Sequence, residues 1–171
     1  MITVGQALVG RALGSFRFIE NHDSDPYFPP EYIIEPMSLA YDEPVVIDWP
    51  CDGRVTRPFH LSLKVHPVDG SLKPHHGVDI AAPKGSPVRA AIAGKVAFAG
   101  WVGGYGNTII LSHTGGVQTL YAHLDSFHVD EGAYVRFGDL IGRVGATGKV
   151  TGAHLHFEKR VAGHPVPPGI G

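Results

Sequence analysis

The 171-residue sequence lacks several features that define common classes of protein. Cys51 is its only cysteine, so no disulfide bond can form within the chain and a disulfide-stabilised fold is excluded. No apolar run approaches the roughly 20 residues that a membrane-spanning helix needs, which argues against membrane insertion. The net charge of −2 leaves no excess of basic side chains for binding nucleic acid.

The first residues also lack the marks of an export signal. A signal peptide has a basic segment followed by a long apolar stretch and a small-residue cleavage site. Residues 1–18 lack the basic segment and an uninterrupted apolar stretch, and they contain Arg11 and Arg17. The sequence therefore predicts no signal peptide.

The chain divides near residue 50, where its composition changes. Residues 19–50 contain repeated prolines, which predict an extended arm with little regular structure. A disordered leader is the alternative, but Tyr27, Phe28 and Tyr32 are unusual in disordered linkers. We therefore divide the chain into an N-terminal arm, residues 1–50, and a folded domain, residues 51–171. Within the arm, a short amphipathic helix over residues 3–16 is predicted by apolar residues spaced four apart: Val4, Leu8, Ala12 and Phe16.

The folded domain is predicted to consist of short antiparallel strands. With 23 glycines and 14 prolines, the sequence favours turns over long helices. Connections between the apolar segments are short, which makes neighbouring strands antiparallel. The predicted fold class is therefore all-β, with packed antiparallel sheets. Runs of Val, Ile, Thr and aromatic residues predict the strands 88–92, 95–99, 107–112, 117–122, 140–144 and 154–161.

Histidine is unusually frequent, with 11 in the sequence, and metal binding or acid–base chemistry is the usual reason for such an excess. Strand alternation places His154 and His156 on one face, where they could converge on one metal or on a metal and its water. Upstream, His75 and Asp79 lie four residues apart, and Gly77 permits a tight bend between them. A histidine, a carboxylate and a further histidine suit zinc with an open fourth position for water.

A series of short motifs runs in order from His75 to Glu158, within residues 51–167. They are His75-His76-Gly77-Val78-Asp79-Ile80-Ala81-Ala82-Pro83, Gly85-Ser86-Pro87-Val88, Gly94-Lys95-Val96, Gly103-Gly104-Tyr105-Gly106-Asn107, Tyr121-Ala122-His123-Leu124, Gly138-Asp139, Gly142-Arg143-Val144-Gly145-Ala146-Thr147-Gly148 and Gly152-Ala153-His154-Leu155-His156-Phe157-Glu158. This series resembles the lysostaphin/LytM-type zinc metalloendopeptidases, which are peptidoglycan hydrolases. The resemblance implies an antiparallel β-sheet groove flanked by loops.

The resemblance also implies roles for five residues. His75, Asp79 and His156 correspond to the family's zinc ligands. His123 and His154 correspond to two histidines at the catalytic water that do not bind the metal. We assign His154 as the general base and His123 as the residue that positions the water or stabilises the oxyanion, and the sequence leaves these roles interchangeable.

The function expected from this resemblance is zinc-dependent hydrolysis of peptide crosslinks or stem peptides in peptidoglycan. The enzyme would act at the bacterial cell wall, in the periplasm or outside the cell. Residues 1–50 are expected either to cover the groove or to anchor the chain in a larger assembly, such as a phage virion that replaces export by a signal peptide.

Two other functions are alternatives. One is a non-catalytic LytM-like regulator of another wall hydrolase, and the other is a virion structural component with a peptidase-like domain. The presence of all three ligands and both partner histidines argues against each of them.

Overall fold

The computed structural model describes residues 48–169, so the predicted helix over residues 3–16 and nearly all of the predicted arm lie outside it. Strands dominate this range, and its two helical elements are short 3-10 turns at Gly103–Tyr105 and Thr114–Gly116. Between residues 48 and 169, no helix is long and apolar enough to cross a membrane. The all-β prediction is confirmed.

The strands of residues 48–169 are numbered in chain order. The first seven are β1 (Arg54–Arg57), β2 (His60–Val65), β3 (Leu72–His75), β4 (Val78–Ala81), β5 (Pro87–Arg89), β6 (Gly94–Val102) and β7 (Gly106–Ser112). They are followed by β8 (Val117–Ala122), β9 (Leu124–Phe127), β10 (Tyr134–Val135), β11 (Leu140–Val144), β12 (His154–Val161) and β13 (His164–Val166).

These strands form one large sheet, a three-stranded sheet and a hairpin. The large sheet has the order β1-β4-β12-β8-β7-β6-β10, with β13 beside β12, and the smaller one has the order β5-β11-β9. β2 and β3 pair only with each other. All pairs are antiparallel, as the short connections predicted. Because β4, β12 and β8 are neighbours, residues distant in sequence meet at this part of the large sheet.

Buried apolar side chains from the large and three-stranded sheets form the main core. Leu155 and Phe157 of β12 are fully buried in it, and alternation turns His154 and His156 to the opposite face. The face that carries these histidines has a second apolar cluster, so the sheet is packed on both faces. This cluster consists of Val102, Tyr105, Ile110, Leu120 and Ala122.

The predicted strands correspond to β5, β6, β7, β8, β11 and β12, with ends that differ by up to a few residues. The remaining strands were not predicted. All of these except β2 have four residues or fewer, which is too short to show an alternating pattern. β2 is longer, but five of its six residues are exposed, so it lacks a buried face that would give its sequence a period of two.

Candidate metal centre

Neighbouring strands bring the three predicted ligands together. Asp79 on β4 and His156 on β12 are register partners, so their side chains lie on one face. His75 ends β3 and reaches the same point through the bend at Gly77. Any side chain at Gly77 would collide with the carbonyl oxygen of Phe157, so glycine is required for the bend to pass this close to β12.

The ligand atoms of these residues converge on one point. His75 Nε2 lies 3.0 Å from Asp79 Oδ1 and 3.2 Å from His156 Nδ1, and His156 Nδ1 lies 2.7 Å from Asp79 Oδ1. Both histidines are buried and Asp79 is partly buried. Two imidazole nitrogens and one carboxylate oxygen are a donor set of catalytic zinc sites, which keep the fourth position open. The residues therefore fit a zinc ion.

Hydrogen bonds fix the ring nitrogens that face away from this point. His75 Nδ1 donates to the backbone oxygen of Pro58 at 2.9 Å, which leaves Nε2 facing the site. His156 Nε2 lies 2.9 Å from Glu158 Oε1, which leaves Nδ1 facing the site. Such outer partners orient metal-binding imidazoles and raise their basicity.

Glu158 is itself held firmly inside the sheet. The Tyr105 hydroxyl donates to Oε1 at 2.6 Å, and the Nε and Nη2 atoms of Arg160 both lie 2.7 Å from Oε2. Burial opposes ionisation of this fully buried carboxyl, but Arg160 and the hydrogen bond with His156 outweigh it and hold the pKa of Glu158 well below its usual range. The buried carboxylate is therefore charged and can anchor His156.

The same contacts set the protonation of the ligands when no metal is bound. Burial alone lowers the pKa of His156, but the hydrogen bonds to Asp79 and Glu158 outweigh it and raise that pKa to about 9. Burial lowers the pKa of His75. Burial opposes ionisation of Asp79, yet the hydrogen bonds from His156 and His75 hold its pKa well below the usual range. Asp79 is therefore a carboxylate.

The two histidines predicted at the catalytic water lie beside the ligands. The ring centroids of His123 and His154 are 4.7 Å apart, and His154 Nε2 is 3.8 Å from Asp79 Oδ1. His123 Nδ1 donates to the Thr147 carbonyl at 2.8 Å, and His154 Nδ1 donates to the Gly152 carbonyl at 2.9 Å. Because a carbonyl only accepts, each neutral ring carries its hydrogen on Nδ1 and a lone pair on Nε2.

His123 also has an unusual backbone conformation. Its φ of 61° lies in the left-handed region, which residues other than glycine rarely adopt. The His123 amide donates to the Tyr105 carbonyl at 2.9 Å, which helps to hold this conformation. Burial, followed by the charges of His156 and His154, lowers the pKa of the His123 ring to about 3, so the ring is neutral near pH 7. Strained backbone of this kind is concentrated at functional sites.

A groove of about 350 Å³ lies over the cluster. Asp79 is the only carboxylate among the lining residues that the structure describes, whereas Arg57, Lys73 and Lys149 contribute three basic side chains. His76 lines the groove but does not belong to the cluster of candidate ligands.

The groups that orient the site residues were not predicted. Glu158 had a local signal, because alternation on one strand puts it on the same face as His154 and His156. Pro58 and Thr147 act through their carbonyls, and a backbone group leaves no mark in the side-chain pattern.

The fold and the site together define an all-β protein with a candidate catalytic metal centre. Residues 73–168 match Peptidase family M23. The chain belongs to this family, and the match spans all five site residues, from His75 to His156.

Two curated relatives cover a similar part of the chain. It is 49% identical over 115 residues to the DD-carboxypeptidase/endopeptidase Mpg of Neisseria meningitidis serogroup B, an alignment that covers 67% of this chain and 26% of the relative. It is 41% identical over 113 residues to the peptidoglycan DD-endopeptidase ShyB of Vibrio cholerae serotype O1, covering 66% of this chain and 26% of ShyB. The chain thus spans about a quarter of the length of these relatives.

Two solved structures share the fold. A zinc-containing peptidase from Vibrio cholerae superposes with a TM-score of 0.67 at 37% identity, covering 72% of this chain and 39% of that one. The catalytic domain of lysostaphin from Staphylococcus simulans gives a TM-score of 0.55 at 34% identity, covering 68% of this chain and 86% of that one. The resemblance to the lysostaphin type is confirmed.

Proposed function

We propose that this chain is a zinc-dependent endopeptidase that hydrolyses peptide crosslinks or stem peptides of bacterial peptidoglycan. The observation that carries the proposal is the convergence of His75 Nε2, Asp79 Oδ1 and His156 Nδ1, all within 3.2 Å of one another, in the wall of a groove. The name of ShyB supports the substrate class, and the solved zinc-containing peptidase supports the metal.

Zinc bound by His75, Asp79 and His156 would polarise the scissile carbonyl and lower the pKa of the attacking water. His154 is the proposed general base. Its Nε2 carries a lone pair in the neutral ring and lies 3.8 Å from Asp79 Oδ1, beside the ligand cluster. This nitrogen takes the proton of the attacking water and passes it to the leaving amine.

His123 is the proposed positioning residue for the water. Its pKa of about 3 makes it a poor proton acceptor near neutral pH. Its Nδ1 hydrogen is bonded to Thr147, so Nε2 can accept a hydrogen bond from water but has no hydrogen to donate to an oxyanion. Of the two roles that the sequence left open for His123, positioning of the water therefore fits the geometry better.

The biological setting is part of the proposal. Both curated relatives described above come from bacteria, which favours action at the bacterial cell wall, in the periplasm or outside the cell. Attachment to a phage virion through residues 1–50 stays a prediction of the sequence. A non-catalytic regulator and a purely structural virion component would both fail to cleave peptidoglycan, so an activity measurement separates them from the enzyme.

The experiment combines metal analysis with product identification. The purified chain, reconstituted with zinc, is expected to hold one equivalent and to release peptide fragments from purified peptidoglycan, which mass spectrometry would assign to a specific bond. His156→Ala should lose both the metal and the activity. Less than about half an equivalent of zinc in the wild type, with His156→Ala no different, would contradict the metal assignment.

A further inference from the structure

Arg57 is a basic residue of the groove with an unusual environment. Its side chain is half-buried as a whole, but Nη2 is excluded from solvent and has no hydrogen-bond partner among residues 48–169. Other cations near the site have carboxylate partners: Arg160 pairs with Glu158, and Lys73 and Lys149 lie 3.4 Å and 3.6 Å from Asp69 Oδ2.

The sheet fixes where Arg57 lies relative to the ligands. Arg57 on β1 is the register partner of Asp79 on β4, and Asp79 is in turn the register partner of His156 on β12. Residues paired directly across neighbouring strands project from the same face. Strands are separated by about 4.8 Å, so Arg57 stands one strand beyond Asp79 and roughly 10 Å from the backbone of His156. That distance corresponds to about three residues of an extended peptide.

The positive charge of this environment favours an anionic partner. A buried N–H group of a charged guanidinium is costly to leave without a partner, and its fork of donors matches the two oxygens of a carboxylate. The groove offers Arg57 no such partner, because its only lining carboxylate among the described residues is Asp79, whose Oδ1 lies against His75 and His156. Nη2 itself is closed to solvent, so a carboxylate of the substrate would meet the guanidinium from the groove that Arg57 lines and would supply the opposite charge that the described residues do not provide.

We infer that Arg57 is a specificity-determining residue that binds a free carboxylate of the peptide substrate, a few residues from the scissile bond. The inference rests on the proposed endopeptidase function and names the substrate class more closely, as an anionic peptide. The carboxylate is either the C-terminal group of the peptide or a side-chain carboxylate. Both have the same chemistry towards a guanidinium, and amidation distinguishes them.

The experiment uses one crosslinked peptide in three forms: the free acid, the C-terminal amide and the side-chain amide. Zinc-loaded wild type is expected to cleave the free acid with a kcat/KM about 10- to 100-fold higher than one of the two amides, and the disfavoured amide identifies the carboxylate. Arg57→Gln should reduce cleavage of the free acid by the same factor and leave that amide unchanged. The kcat/KM of Arg57→Lys for the free acid should lie between those of the wild type and Arg57→Gln, because an ammonium keeps the charge but loses the paired donors of the guanidinium.

Arg54→Gln is the matched control, because Arg54 is an exposed arginine on the same strand outside the groove lining. This variant should keep the full preference for the free acid. Arg57→Gln should also melt at the wild-type temperature or higher, because it removes a buried donor that has no partner in the described residues. A structural role for Arg57 would instead lower the melting temperature and reduce cleavage of all three peptides equally.

Binding to the metal-free wild type provides a second measurement that does not depend on cleavage. The free acid should bind about tenfold or more tightly than the disfavoured amide, and Arg57→Gln should abolish the difference. Equal affinities of the wild type for acid and amides would overturn the role of Arg57. If the wild type cleaves none of the peptides, the proposed endopeptidase function fails, and the binding measurement still decides whether Arg57 recognises a carboxylate.

Discussion

Glu158 is the residue on which the orientation of His156 depends. Its carboxylate is fully buried, accepts a hydrogen bond from Tyr105, pairs with Arg160 and lies 2.9 Å from His156 Nε2. A charge in this position is stable because each oxygen has partners, whereas loss of the charge leaves Arg160 buried without its counter-ion. One side chain thus links the stability of the sheet to the orientation of His156.

Glu158→Gln is expected to weaken zinc binding by about 10- to 100-fold, as loss of an outer partner of a metal-binding histidine generally does. It should also lower the free energy of unfolding by about 3–5 kcal/mol, because it breaks a buried ion pair. Competition with a chelator measures the first effect and denaturant unfolding the second. The control is Lys159→Gln, which removes a charge from the neighbouring position on the opposite face of β12. Unchanged zinc affinity in Glu158→Gln would show that Glu158 does not support metal binding.

His123→Ala and His154→Ala are expected to keep the metal and lose activity. Neither residue belongs to the ligand cluster, and the loss of one acid–base partner costs on the order of 10²–10⁴ in rate. Metal analysis and a peptidoglycan cleavage assay on the same samples test this. His128→Ala, at an exposed histidine outside the groove lining, should match the wild type. If either site variant loses its zinc, that histidine is a ligand.

Zinc binding is expected to release a proton at pH 7. His156 lies between two carboxylates, which raise its pKa to about 9, so the metal-free imidazole is protonated below that pH. Zinc needs the deprotonated Nδ1 and must displace this proton, so affinity should rise with pH between about 7 and 9. Calorimetry in two buffers of different protonation enthalpy measures the release. A heat of zinc binding that is the same in both buffers at pH 7 would show that no proton is released. That result would contradict protonation of His156 in the metal-free protein.

Among the elements, the loop between β11 and β12 holds the rings of His123 and His154 in place. The Thr147 carbonyl accepts from His123, and the Gly152 carbonyl accepts from His154. Gly148 lets this loop lie against the 3-10 turn that carries Tyr105, because an added Cβ would collide with backbone atoms of Gly104 and Gly106. The loop therefore acts through backbone contacts.

Gly148→Ala is expected to displace this loop and reduce activity by about 100-fold, the effect of roughly 1 Å of misplacement at a reacting group. Gly138→Ala is a matched control, because the two glycines have φ values of 77° and 80° but Gly138 has nothing within 4 Å of an added Cβ. Both variants carry the backbone penalty of about 1 kcal/mol. Cleavage assays and melting temperatures compare them, and equal behaviour would show that the close approach at Gly148 is unimportant.

At the scale of the whole molecule, the predicted arm of residues 1–50 lies outside the segment of the chain that holds the site. All five site residues lie between His75 and His156. The N-terminal end of the described region already contacts the domain, because the Pro50 carbonyl accepts from the Arg89 amide at 2.7 Å and Cys51 is buried in the core. The last residues of the predicted arm therefore pack on the β domain.

A chain that starts near Val45 is expected to bind one zinc and to melt like the full chain, because it keeps these contacts. If residues 1–44 cover the groove, the truncated chain should cleave peptidoglycan faster than the full chain. If they bind a larger assembly, the cleavage rate should be equal and association should be lost. Both chains are compared by cleavage rate, metal content and co-sedimentation with the assembly. An unfolded, metal-free truncated chain would show that the arm belongs to the core.

The sequence by itself determined the fold class, and it predicted which residues form the site. The long central strands could be predicted because burial of one face imposes a period of two, as in Leu155 and Phe157 against His154 and His156. The ligand roles of His75, Asp79 and His156 are predictions that the resemblance implies, since His75 and Asp79 lie far along the chain from His156. Each of these patterns lies in the sequence itself, so it can be recognised before the partner strands are known.

Only the tertiary structure decided how those residues are oriented and what else lies beside them. His75 and His156 are 81 positions apart, and they become neighbours because β4 pairs with β12 and the bend at Gly77 brings the end of β3 back to β12. The carbonyls of Pro58 and Thr147 fix two of the rings, and the unpartnered Nη2 of Arg57 becomes visible only once β1 is placed beside β4. Hydrogen bonding and burial depend on distances across strands, and neither is encoded in the spacing of residues along one strand.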